Sequence, residues 1–526
     1  IKVTDGVHVA VGYGLANSIL LEGDDGVIVV DTMESNAGAR EVKAAFEKLT
    51  NKPVKAIVFT HNHSDHIFGS GIFAGDQNPK VFAHESTNYY INRVVNVIRP
   101  AIYTRAMRQF GSHLPPGGRI NNGIGPFLAD VTGKDALSLA RPTDTFDKVL
   151  KTEIAGIKME LYHAPGETAD QLFVWLPEKK VLLPGDNFYK SFPNLYAIRG
   201  TSYRDVLEWS KSIDMMRELE PEFLVPSHTR PLIGKDKILG ILTDYRDAIQ
   251  FIHDQTVRWI NQDLVPDEIV ERVKMPPHLA KSPFLREFYG MVDWSVRSVF
   301  TGYLGWFSGN ATELHPLSKV EKAKRMAALA SSGTSLLDAT KKALVDKDYQ
   351  WAAVLSDSLI LVSEDAGEAK NLKAQALIAL AEGQISANGR NYYLTRAYEL
   401  NGTVTIPPLD TSKSPKEILY SLPIENMMRS MPVNLKAEDA MDENIIVAFS
   451  FLDIGEDYFV HLRHGVAEVQ KRAPKRADIK VTVKSNIWKD ILTKRRNAAV
   501  AYASGDISID GSVLDLVAFL KLFQPG

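Results

Sequence analysis

Val54-Lys55-Ala56-Ile57-Val58-Phe59-Thr60-His61-Asn62-His63-Ser64-Asp65-His66 joins an apolar run to three histidines and one aspartate within six residues. The apolar run predicts a buried strand. The cluster therefore falls at a strand's C-terminal end, where α/β folds place their sites. Imidazole nitrogen and carboxylate oxygen form a ligand set that suits zinc and similar divalent ions. A polar loop rich in histidine is the alternative reading, but histidines this crowded need partners and a metal is the simplest one.

Working outward, the neighbouring segments read as α/β layers. Val7–Val11 is an opening strand. Asn17–Glu22 and Gly26–Asp31 are two apolar runs joined by Gly23-Asp24-Asp25, a hairpin signal. Residues 37–49 have helical spacing and lead into the Val54–Phe59 strand. Further strands are predicted at Ile157–His163, Gln171–Leu176, Lys180–Pro184 and Glu222–Pro226. Three of them are followed by turns carrying Glu167, Asp186 and His228. Seven donors result: His61, His63, Asp65, His66, Glu167, Asp186 and His228. That is too many for one tetrahedral zinc and suits two metals with one or two carboxylates bridging them.

The segment from Tyr89 to Pro142 fits this layering poorly. It carries Arg93, Arg99, Arg105, Arg108 and Arg119, then Asn121-Asn122-Gly123-Ile124-Gly125-Pro126, and reads as an excursion over the site. From Lys319 to Leu400 the composition turns to Ala, Leu, Lys and Glu at helical spacing, an all-helical unit of antiparallel pairs. Val404–Ser414 reads as a linker. The last stretch is α+β, with strands at Asn444–Leu452, Asp478–Val483 and Gly505–Gly511, a helix at Val513–Phe523, and no ligand cluster. The divisions fall at residues 1–315, 316–415 and 416–526.

Bulk properties narrow the function. The 526 residues exceed one core, and 45% hydrophobic composition is that of a globular chain. A net charge of −3 with both signs interspersed argues against nucleic acid as a partner. With no cysteine, disulfides, thiolate zinc sites and cysteine nucleophiles are excluded. No apolar run reaches the length of a membrane span.

His61-Asn62-His63-Ser64-Asp65-His66 and the later series of turn carboxylate, Gly185-Asp186 and His228 resemble the metallo-β-lactamase superfamily. Glu167 in Pro165-Gly166-Glu167-Thr168, the stretch Asn194-Leu195-Tyr196-Ala197-Ile198-Arg199-Gly200 and the stretch Tyr303-Leu304-Gly305-Trp306-Phe307-Ser308-Gly309-Asn310 resemble its alkylsulfatase branch, the sodium dodecyl sulfate hydrolases. The resemblance implies an αββα sandwich, a helical dimerisation domain and a C-terminal domain similar to sterol carrier protein. It implies two zinc ions per subunit: His61, His63 and Glu167 on one, Asp65, His66 and His228 on the other, with Asp186 between. Aspartate at position 186 departs from the glutamate usual in that branch.

On this resemblance the expected activity is hydrolysis of linear primary alkyl sulfates by a hydroxide that the two metals activate. Asp65, Arg199 and Arg204 are the catalytic candidates. Arg199 and then Arg204 are candidates for the sulfate head, because guanidinium offers paired donors to an oxyanion. The amides around Gly123 and Gly125 are candidates for a nest holding sulfate oxygens. Phe284, Phe288, Tyr289 and Trp306 are candidates for an apolar tail groove. Attack at sulfur and attack at carbon both stay open. A secondary-alkyl sulfatase, another hydrolase of the superfamily such as a lactonase or phosphodiesterase, and a lipid-binding protein with a vestigial catalytic domain are the alternatives. A homodimer is expected. The first residue, Ile1, and a detergent substrate point to a periplasmic or secreted location, and otherwise to the cytoplasm.

Overall fold

The computed structural model describes residues 1–128, 136–331, 333–409 and 416–523. They form two compact units, one of residues 1–88, 100–131 and 140–408, the other of 89–99, 132–139 and 409–526.

The first unit begins with a seven-stranded sheet in sequence order: β1 (Lys2–Thr4), β2 (Val7–Ala10), β3 (Ser18–Glu22), β4 (Val27–Val30), β5 (Val54–Val58), β6 (Lys80–His84) and β7 (Asp144–Phe146). β1 to β4 pair antiparallel, and β4 to β7 pair parallel. A second sheet has six strands: β8 (Val149–Ile154), β9 (Ile157–His163), β10 (Leu172–Leu176), β11 (Val181–Leu183), β12 (Phe223–Leu224) and β13 (Leu232–Ile233). One core lies between the sheets. Val7, Ile19, Ile28, Val30 and Val58 of the first meet Leu161, Leu172, Val174 and Leu183 of the second. Burying each such side chain stabilises the fold by about 1.5–3 kcal/mol relative to exposure.

Helices cover both outer faces. Asn36–Glu47 and Ser70–Ala74 pack together beside β5. On the other side, Phe173, Trp175, Leu182 and Leu224 pack with the helices Val206–Glu218, Lys235–Ile260 and Val292–Leu304. This is the αββα sandwich. β4, β10 and β11 are buried along their whole length because each lies between a sheet and helices, which explains their unbroken apolar sequence.

The stretch from Tyr89 to Pro142 is more regular than its sequence implies. Helices Thr87–Asn96 and Arg99–Phe110 occupy much of it, while 129–135 lie outside the described residues. The frequent arginines masked the helical spacing. Met107 and Phe110 are buried, whereas Arg108 ties this helix to Glu399 through two bonds of 3.0 Å.

Five helices follow, Lys319–Ala330, Leu336–Val345, Tyr349–Val362, Gly367–Glu382 and Ala387–Leu400, packed around Leu355, Leu372, Ala376 and Leu377. The last helix docks on the catalytic layers: the side chains of Ser386 and Asn388 donate to the Tyr289 carbonyl. Of the predicted linker, residues 410–414 lie outside the described residues.

The second unit holds a five-stranded sheet in the order Val466–Gln470, Glu456–Arg463, Asn444–Phe451, Ile479–Val483, Ile507–Asp510. The sequence reading missed its first two strands. Asp457, His461, Arg463 and Glu468 interrupt the apolar pattern there, although Tyr458, Val460 and Leu462 alternate inward. Helix Val513–Lys521 packs on this sheet through Leu516 and Phe519.

Candidate metal centre

The C-terminal ends of five strands converge on one point. Asp31 follows β4, the His61–His66 cluster follows β5, Glu167 lies in the turn after β9, Asp186 follows β11 and His228 follows β12. Gly185 makes the fourth of these turns possible: its φ of 58° is left-handed, which glycine adopts at least cost, and a Cβ there would lie 2.2 Å from Gln171 Nε2.

All seven predicted donors come together. Asp186 Oδ2 is central, 3.1 Å from His228 Nε2, 3.4 Å from His66 Nε2 and 3.8 Å from His61 Nε2. The shorter aspartate arm still reaches both halves of the cluster. Asp65 Oδ2 is 3.5 Å from both His66 Nε2 and His228 Nε2, and Glu167 Oε1 is 4.0 Å from His63 Nδ1. Three groups have donor atoms close enough to share an ion: His63, Glu167 and Asp186; Asp65, His66 and His228; His61, His66 and Asp186.

The tautomers are set from outside the cluster. His66 Nδ1 donates to Asp31 Oδ2 at 2.7 Å, His228 Nδ1 donates to the Leu15 carbonyl at 2.8 Å, and His61 Nδ1 lies 3.1 Å from Thr60 Oγ1. The hydroxyl of Thr60 donates in turn to Asp31, so it accepts from His61. Each ring is left with an Nε2 lone pair facing the centre, as metal-ligating histidines require. Asp31 also accepts from Ser227 Oγ at 2.7 Å and from the Thr60 amide at 2.9 Å. Sequence reasoning assigned Asp31 no role, although its place at a strand end beside the cluster was a usable signal.

These residues fit a divalent cation. His66 Nε2 and Asp186 Oδ1 are buried without a hydrogen-bond partner. His61 Nε2 and His63 Nδ1 face one another at 2.9 Å, so their lone pairs repel unless a cation or proton intervenes. The electrostatics agree. Burial, with the charge of His66 added, lowers His61 to about 4. Burial would lower His66 as well, but Asp186, Asp65 and Asp31 outweigh it and raise that ring well above its usual value. Burial pushes Asp65 up, yet His66 and His228 win and hold it near about 2. The carboxylates thus gather positive charge at the centre.

Arg199 is half-buried, with Nη2 3.1 Å from His63 Nε2 on the side away from the other donors. Its loop is clasped by Arg105, which donates to the carbonyls of Ile198 and Arg199. Arg204 has one nitrogen committed to protein partners, while its Nε and Nη2 are buried without a hydrogen-bond partner. It is buried, its Nη1 lies 2.7 Å from Glu167 Oε1, and it donates to the Asn194 carbonyl. It is a positioning residue for a ligand carboxylate. Burial raises Glu167 to about 6 against the pull of Arg204, with Asp186 adding to the rise.

The glycine nest requires correction. The Gly123 amide donates to Asn121 Oδ1, and a Cβ on Gly123 would lie 2.2 Å from the Phe288 carbonyl. Gly125 abuts the Leu15 carbonyl, 2.3 Å from where a Cβ would stand. Both glycines serve close packing of backbone on backbone.

Of the aromatic candidates, Tyr289 is buried among Leu15, Phe110, Ile124 and Tyr189, and Phe284 packs partly buried on the helical side of the second sheet. Phe288 and Trp306 are exposed. Asn194, quoted in the sequence but given no role, has both side-chain amide atoms buried without partners.

Comparison with known proteins agrees with this geometry. Residues 11–228 match the metallo-beta-lactamase superfamily, 265–403 the alkyl sulfatase dimerisation family and 412–526 the alkyl sulfatase C-terminal family. A linear primary-alkylsulfatase of Pseudomonas sp. (strain ATCC 19151) is 35% identical over 96% of this chain and 98% of its own. An (R)-specific secondary-alkylsulfatase of Pseudomonas sp. is 27% identical over 98% of this chain and 79% of its own. The solved structure of the stereoselective inverting sec-alkylsulfatase Pisa1 from Pseudomonas sp. aligns with a TM-score of 0.92 at 25% identity, over 100% of this chain and 84% of that chain. With the three matched regions in the same order as the folded layers, and a relative this similar over nearly its whole length, the chain belongs to the alkylsulfatases of the metallo-β-lactamase superfamily and is a sulfate ester hydrolase.

Proposed function

We propose that this alkylsulfatase hydrolyses linear primary alkyl sulfates with two zinc ions per subunit. The observation that carries the reading is the end-to-end similarity to a linear primary-alkylsulfatase, together with seven convergent donors beside one half-buried arginine. Seven donors exceed the four of one tetrahedral zinc and would suit two ions, with Asp186 close to donors of both halves of the set.

Bound there, divalent metal supplies Lewis-acid chemistry, activating water and stabilising charge on oxygen. The chain's own residues do the rest. Asp31 and Thr60 orient His66 and His61. Arg204 holds Glu167 in the buried site. His63 would hold a metal through Nδ1; its proton would then sit on Nε2, which would not accept from Arg199, and the guanidinium would be open to sulfate oxygens. The buried, unpartnered amide of Asn194 is a further donor for that head. The matched dimerisation family, and the exposed Tyr303, Leu304, Trp306, Leu314 and Leu317, support a homodimer.

The test is sulfate release from primary alkyl sulfates from hexyl to dodecyl, beside the two enantiomers of 2-octyl sulfate, with and without chelator. Primary esters should be cleaved fastest, with activity lost to chelator and restored by zinc. Preference for one 2-octyl enantiomer would move the substrate to the secondary class, as the similarity to the (R)-specific relative allows. No release from any ester by the zinc-loaded protein would refute the reading.

A further inference from the structure

A cavity of about 440 Å³ opens between the β2–β3 loop, residues 124–126, the segment after Asp186 and the start of helix Lys235–Ile260. None of the seven metal donors lines it, nor does Arg199 or Arg204. Its wall includes Leu15, Ile124, Phe188, Leu232 and Phe284, and Leu232 and Phe284 are only partly buried. Leu15 and Ile124 also belong to the small cluster with Tyr189 and Tyr289. The volume is that of a small-ligand site.

Charge selects the occupant. Lys190, Arg230 and Lys237 are all exposed and all line the cavity, while no carboxylate does. Among the described residues none of the three forms an ion pair or a side-chain hydrogen bond, in contrast to neighbouring Lys235, 2.5 Å from Glu220. The Lys190 ammonium stands 5.6 Å over the Phe284 ring, so cation and apolar wall share one location. Lys237 lies in the first turn of a 26-residue helix whose N-cap, Gly234, provides no side-chain acceptor. Asp236 in the same turn complements the helix dipole, and Lys237 adds its charge to the cavity wall.

We infer that this cavity binds a single-chain anionic amphiphile at a site distinct from the metal centre, with its head between Lys190, Arg230 and Lys237 and its chain against Leu232 and Phe284. The cavity wall adjoins a support of the metal centre. The Leu15 carbonyl that orients His228 belongs to a residue in its wall, and Thr229, also in the wall, follows His228 directly.

Decane-1-sulfonate, which has no ester bond to cleave, is the probe. Calorimetric titration of the zinc-loaded protein below the micelle concentration should find two sulfonates per subunit. The Lys190→Glu/Arg230→Glu variant should bind one, with KM for alkyl sulfates unchanged. A single sulfonate on the unmodified protein, or a second site that survives charge reversal, would overturn the inference. So would a KM that rises as the second site is lost, because the cavity would then be the substrate's own tail channel. Equal competition by uncharged octyl glucoside would overturn the requirement for an anion.

Discussion

At the residue scale, Asp31 decides how the last histidine of the cluster is presented. Its φ of 57° lies in the left-handed region, which aspartate tolerates better than most residues, and from there it accepts from His66, Thr60 and Ser227. Asp31→Asn puts an amide N–H where a donor must be received. Metal affinity or kcat/KM should fall about 10–100-fold, read by metal analysis of the dialysed protein beside kinetics. Arg204 and Arg199 are both arginines of one loop, yet they face different tasks. Arg204→Met leaves Glu167 buried without its cation, and breaking such a pair costs about 3–5 kcal/mol. The expected result is lower zinc content and an earlier denaturation midpoint for Arg204→Met. Arg199→Ala should instead keep its zinc and raise KM for the sulfate ester.

At the element scale, the site is built by strand ends and the turns that follow them. β11 is a three-residue strand, and only the Gly185 turn lifts Asp186 to the point where its carboxylate meets three histidines. Gly185→Ala forces a Cβ to within 2.2 Å of Gln171 and 2.9 Å of Thr60. Strain of this kind costs about 1–3 kcal/mol, and relieving it moves Asp186. Thermal denaturation should show the loss of stability. Added zinc should protect the variant less than the parent, because protection by mass action falls with affinity. Helix Arg99–Phe110 acts at the same scale. Arg105 secures the Arg199 loop and Arg108 secures helix Ala387–Leu400, so two arginines that look free in sequence are clasps between elements.

At the scale of the whole molecule, the catalytic layers leave an apolar strip uncovered. Leu304 is 55% exposed and Trp306 72% exposed, adjacent apolar surface that a second copy would cover in the proposed dimer. Leu304→Glu with Trp306→Glu should convert the dimer to a monomer in light scattering coupled to gel filtration. An unchanged mass would remove this strip from the interface. The αββα core, with its own inter-sheet packing, should keep its zinc in that variant.

The opening strand and cluster made the metal centre legible without coordinates. A histidine-rich stretch after an apolar strand constrains both chemistry and position, and Glu167, Asp186 and His228 each follow a recognisable strand. The apolar runs of β3 to β5 and the helical spacing of the middle unit were legible for the same reason: the local pattern of apolar residues reports what is buried. Tertiary structure alone decided what no local pattern encodes. It made Asp31 the acceptor for His66, paired Arg204 with Glu167, committed Gly123 and Gly125 to backbone packing, and gathered Lys190, Arg230 and Lys237 around one cavity. Side-chain type limits what a residue can do, but the partner it meets across the fold sets what it does.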